Sequence, residues 1–134
     1  MRRIVIRFNA PVLLTFALLS LIALFLGNWT DGATTYRYFS VYRSSLGDPL
    51  TYLRMFTHVL GHADYSHYMN NMLLLLLVGP VVEEKYGHRT IFFSILLTAL
   101  VTGLVQFVFF PNTALLGASG IVFMLIMLAS LSGM

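Results

Sequence analysis

The chain has 134 residues, enough for one small domain, but 58% of them are hydrophobic and only 10% are charged. Soluble globular chains carry about 25% charged residues, and a mean hydropathy of +0.83 points the same way, so an ordinary water-soluble domain is excluded and lipid is expected as much of the solvent. The net charge of +3 gathers into no basic patch, which argues against nucleic acid as a partner, and the absence of Cys removes disulfides, thiolate catalysis and Cys-based zinc sites.

Met1 to Arg7 is basic and precedes an uncharged apolar run, Ala10 to Gly27, of the length that spans a bilayer. The run is long for a signal peptide, and Phe25-Leu26-Gly27-Asn28-Trp29 offers no small-x-small cleavage site, so it reads as a retained first transmembrane helix. Asn28 to Leu53 mixes Trp29, Tyr36, Tyr38, Phe39, Tyr42 and Tyr52 with Asp31, Arg37, Arg43 and Asp48. Aromatic residues at this density beside a span suit the headgroup layer, so this region is expected to be a loop lying in or on the outer leaflet. A second apolar run starts at His67 and reaches Val82, and Glu83 to Arg89 reads as a short charged turn. Thr90 to Phe110 is a third span, Pro111 to Leu116 a loop, and Ile121 to Met134 a fourth span.

Orientation follows from the basic residues. Arg2, Arg3, Arg7, Lys85 and Arg89 fall on one side, close to span ends, and Arg37, Arg43 and Arg54 on the other, among three Asp residues. The positive-inside rule then makes the N-terminus and the 83–89 turn cytoplasmic.

Ser119 stands among small residues in Gly117-Ala118-Ser119-Gly120, at the start of the fourth span. Small residues there serve close helix packing, or they leave room for a serine nucleophile whose backbone N–H helps to hold an oxyanion. His67 and Asn71 are four residues apart and share one helix face, at a depth similar to Ser119, whereas Asn70 lies about a hundred degrees round. They are interhelical hydrogen-bonders worth about 0.6 kcal/mol per contact, or donors aimed at developing negative charge. A third option is a metal site on His58, His62 and His67, spaced four and five apart, although no His-Glu-x-x-His arrangement supports it.

Several separated pieces, taken in order, resemble the rhomboid family of intramembrane serine proteases. They are Arg54-Met55-Phe56-Thr57-His58, His62, His67-Tyr68-Met69-Asn70-Asn71-Met72, Glu83 with Gly87, and Gly117-Ala118-Ser119-Gly120. The resemblance implies an all-α membrane protein: a polytopic bundle of about four transmembrane helices with a membrane-embedded loop between the first and second, forming one domain over residues 1–134. It implies Ser119 as the nucleophile, and His67 and Asn71 as oxyanion binders with the N–H groups of Ser119 and Ala118, Gly117 keeping that backbone accessible. Arg54 and Glu83 would brace the outer loop and the cytoplasmic end of the second span. His58 and His62 would line a water-accessible vestibule, and Phe123 would replace an aromatic that packs on the catalytic histidine.

The family's catalytic base is a histidine on a sixth helix, and none of His58, His62, His67 or His88 matches it. Met124 and Met127 stand where small residues are usual. A helix from Ser119 to Met134 rises about 24 Å, short of a roughly 30 Å hydrocarbon core. The chain is therefore expected to be incomplete at its C-terminus and inactive without the helices that follow. The partners implied are the lipid bilayer, transmembrane protein substrates and those further helices, with no cofactor and no metal. The expected location is the bacterial inner membrane. The alternative is a catalytically inactive rhomboid-like protein that binds membrane helices.

Overall fold

A computed structural model describes residues 9–133. Arg2, Arg3 and Arg7, on which the expected orientation partly rests, lie outside the described residues, as does Met134. The fold is all-helical: α1 (Pro11–Trp29), α2 (Ala33–Tyr38), α3 (Pro49–Thr57), a single 3-10 turn (His58–Leu60), α4 (Tyr65–Tyr86), α5 (His88–Phe109) and α6 (Ser119–Leu131). The described residues hold one β-bridge, antiparallel, between Val41 and Leu115.

The four expected spans correspond to α1, α4, α5 and α6. By length and composition α1 and α5 are able to cross a membrane. The ends of α4 are spent on polar residues, and α6 is apolar but has 13 residues. Apolar side chains such as Leu73, Leu77, Phe93, Leu97 and Leu131 point outward at more than half exposure, far more than a water-soluble surface tolerates.

Two expectations need correcting. The 83–89 segment is not a charged turn: α4 runs on through Tyr86 and α5 begins at His88, so Gly87 alone, at φ +94°, reverses the chain. That backbone conformation costs an L side chain energy and suits glycine. The 28–53 region is more ordered than a loop, since it contains α2 and the first half of α3. Asp48 caps α3 by accepting from Leu50 N–H at 3.0 Å, and Pro49 supplies a preset first position.

At the centre stands α4, packed on α1, α5 and α6. Leu13 and Leu24 of α1, Leu75 and Val82 of α4, Ile91 of α5, and Ile121 and Leu125 of α6 are fully buried between them. Glu83 is also fully buried, and its carboxylate accepts from the N–H groups of Val12 (3.1 Å) and Leu13 (2.9 Å). These are orphan donors of the first turn of α1, at the positive end of its dipole, which is where a buried carboxylate is best tolerated.

The other end is tied by arginines. Arg54 is buried: its Nε donates to the Arg37 carbonyl at 2.7 Å and its guanidinium lies 4.6 Å from the centre of the Tyr42 ring. Arg43 donates to the Phe107 and Val108 carbonyls, at 3.1 and 2.6 Å, closing the C-terminal end of α5.

Candidate active site

Asp64 precedes α4 and accepts from the His67 N–H at 2.8 Å, which fixes the first turn of that helix. His67 and Asn71 then follow one turn apart on the same face. Asn71 is 8% exposed, His67 is half-buried and Asn70 faces outward.

Opposite them lies Gly117, at φ +117°. A Cβ on Gly117 would sit 2.8 Å from His67 Cε1, 3.0 Å from His67 Nε2 and 3.7 Å from Asn71 Nδ2. Glycine is required here twice, by the backbone conformation and by the closeness of the histidine. The Gly117 N–H is held by the His58 carbonyl at 2.8 Å. His67, Asn71 and the Gly117 backbone, expected together from the sequence, are thus brought together.

Ser119 opens α6 and is exposed. The helical ladder starts with Val122 N–H donating to the Ala118 carbonyl at 2.9 Å. The N–H groups of Ser119, Gly120 and Ile121 therefore have no acceptor within the helix, and they carry the partial positive charge of a helix N-terminus.

One residue of the site has a different place from the one expected. His62 is 1% exposed, and its Nε2 lies 3.3 Å from the Ala118 N and 3.2 Å from Asn71 Nδ2. An amide N–H only donates, so Nε2 accepts and the imidazole is neutral. Burial, reinforced by the nearby His67 and partly offset by the Leu60 backbone, pushes the His62 pKa down to about 4. The Ala118 N–H, expected to add to an oxyanion site, is committed to His62 instead.

Of the two histidines expected to line a vestibule, His62 borders a cavity and both side chains are buried. His58 is as buried as His62, its Nε2 is 2.8 Å from the Ala99 carbonyl oxygen, and burial lowers its pKa. His62 borders a cavity of about 480 Å³ that also meets Asn28, Asp31, Tyr36 and Ser40. Phe123 is 63% exposed, and Met127 also faces outward while Met124 packs on the core.

Among the described residues no group of three or more His, Asp or Glu side chains is placed to hold a metal ion. The Nε2 atoms of His58 and His62 are both engaged within the protein. Among the described residues no histidine is hydrogen-bonded to Ser119. His88 binds Glu83 at 2.7 Å at the far end of α4, and His67 Nδ1 makes only a long 3.5 Å contact with the Ala63 N–H.

A model described as the rhomboid domain matches residues 49–133, from the start of α3 through α6. The chain belongs to the rhomboid family. It is also similar to Rhomboid-like protein 11, chloroplastic, of Arabidopsis thaliana, at 36% identity over 63 residues, which is 46% of this chain and 22% of that protein. The chain thus covers less than a quarter of the curated relative it matches. Family membership implies embedding in a membrane. The relative's name assigns that protein to the chloroplast, and nothing in the comparison supports the bacterial inner membrane expected from the sequence.

Proposed function

We propose that this chain carries the nucleophile and the oxyanion-binding half of an intramembrane serine endopeptidase acting on transmembrane segments of other proteins. Ser119 Oγ attacks the scissile carbonyl carbon and gives its proton to a histidine base that residues 1–134 do not supply. The oxyanion that forms is met by the Ser119 N–H, the His67 imidazole and the Asn71 carboxamide, groups that stabilise negative charge without moving a proton. The observation that carries the reading is the Gly117 backbone packed against His67 and Asn71, two residues before an exposed serine at a helix N-terminus. The bundle crosses the bilayer four times, through α1, α4, α5 and α6, and the Ser119 end lies on the non-cytoplasmic side.

Serine at its ordinary pKa is a weak nucleophile. With no histidine hydrogen-bonded to Ser119 as a base, residues 1–134 alone are expected to react slowly. The test is fluorophosphonate labelling in lipid vesicles, read by mass spectrometry. We expect a slow adduct on Ser119, absent in Ser119→Ala, and faster labelling once helices bearing a histidine base are joined to the chain. If the joined protein stays unlabelled at Ser119, the endopeptidase reading fails and the inactive helix-binding alternative takes its place.

A further inference from the structure

Two donors of the site converge on a single atom. The Ala118 N–H and an Asn71 Nδ2–H both approach His62 Nε2, at 3.3 and 3.2 Å. The backbone N–H fixes the roles, because it can only donate. Nε2 therefore carries the lone pair, the imidazole proton sits on Nδ1, and Asn71 presents its NH2 rather than its oxygen. Ala118 is fully buried, Asn71 is 8% exposed and His62 is 1% exposed, so water does not compete for these bonds.

We propose that His62 is the positioning residue of this site: its Nε2 lone pair joins the start of α6 to the second turn of α4, and so sets which donors remain open to an anion. The proposal deepens the reading of Ser119 as nucleophile and rests on it for its functional meaning. With Ala118 held, the N–H next in line is that of Ser119 itself. With one Asn71 N–H held, the carboxamide is fixed in rotation and its second N–H has a defined direction. The oxyanion site is thereby narrowed to Ser119, His67 and one hydrogen of Asn71.

A protonated His62 would present a third donor to the other two. The bonds would be lost, releasing the Ala118 N–H and the Asn71 carboxamide. The groups around the ring are few. From α4 come His67, with ring centres 4.9 Å apart, and Tyr68, at 5.5 Å. Asp31, in the turn between α1 and α2, and Tyr36, on α2, border the same cavity. Asp64 is two residues away and is occupied by the His67 N–H. The contact that α6 makes with the ring is the Ala118 backbone. A charged His67 disfavours the protonated ring and the Leu60 backbone favours it, while burial dominates and keeps it neutral.

The test uses the whole 134-residue chain in detergent micelles, with nitrogen-15 spectra of the imidazoles and amide hydrogen exchange. At pH 7 we expect His62 to carry its proton on Nδ1. The ring should titrate near pH 4, and the Ala118 amide resonance should move in the same titration. Exchange at the Ala118 amide should accelerate about tenfold or more in His62→Leu. It should return to within about threefold of wild type in His62→Gln, whose Oε1 accepts but does not titrate. A merely space-filling histidine predicts the opposite ranking, with leucine the better substitute.

A proton on Nε2 at pH 7, or an Ala118 amide indifferent to both the titration and His62→Leu, overturns the proposal. Neither readout depends on Ser119 chemistry. The pattern should persist in Ser119→Ala, so failure of the labelling experiment and failure of this one are separate results.

Discussion

The two ends of α4 each hold a buried polar cluster, and they differ in how completely it is used. At the Glu83 end every partner is internal: one carboxylate oxygen takes the Leu13 N–H, and the other takes the Val12 N–H and His88 Nδ1. At the Ser119 end, His62 is spent on holding neighbours, while His67 is half-buried and Ser119 is exposed. The first cluster is a brace whose buried carboxylate is wholly used within the protein. The second is held together from behind and left open in front, the arrangement that the proposed oxyanion site needs.

Breaking the brace should produce the largest loss of stability. Glu83→Ala strands two helix-terminal N–H groups and His88 and is expected to cost about 3 kcal/mol, measured by denaturant titration in detergent. Ser119→Ala, at the other end, should leave stability within about 0.5 kcal/mol of wild type. Equal losses at both ends would erase the distinction drawn between them.

Gly117→Ala comes next, at about 1–3 kcal/mol, because it forces a side chain into a positive-φ conformation and against the His67 ring. The His67 imidazole resonances should shift while those of His88 stay in place. The smallest effect should come from Asn70→Ala, within about 0.5 kcal/mol, beside about 1 kcal/mol for Asn71→Ala. A larger loss at position 70 would mean that the helix presents its other face to α6.

Much of this difference could be read from the residues alone. The apolar runs marked α1, α4, α5 and α6 to within a few positions, since a run of some twenty apolar residues has few other solutions. The four-residue spacing of His67 and Asn71 put them on one face, and the fold sets the Gly117 backbone against them. Three features were hidden. Glu83 to Tyr86 looked like an exposed turn because charge normally seeks water, and nothing local announces that Glu83 faces the start of α1, seventy residues earlier. The helices within 28–57 are too short, and too mixed in composition, for periodicity to reveal them. The role of His62 depends on a contact with Ala118, 56 residues away, and on a loop that folds back beneath α6. Counting residues finds neighbours along a helix, not those across a bundle.

The small bridge between Val41 and Leu115 has a mechanical consequence. Its two backbone bonds, both 2.9 Å, join the segment between α2 and α3 to the strip of chain leading into α6. Leu115 is four residues before Ser119, a tether of at most about 14 Å. The aromatic-rich segment at 36–42 and the serine are thus geared together. A lift or tilt of that segment draws on the same short length of chain that leads into Ser119 and α6.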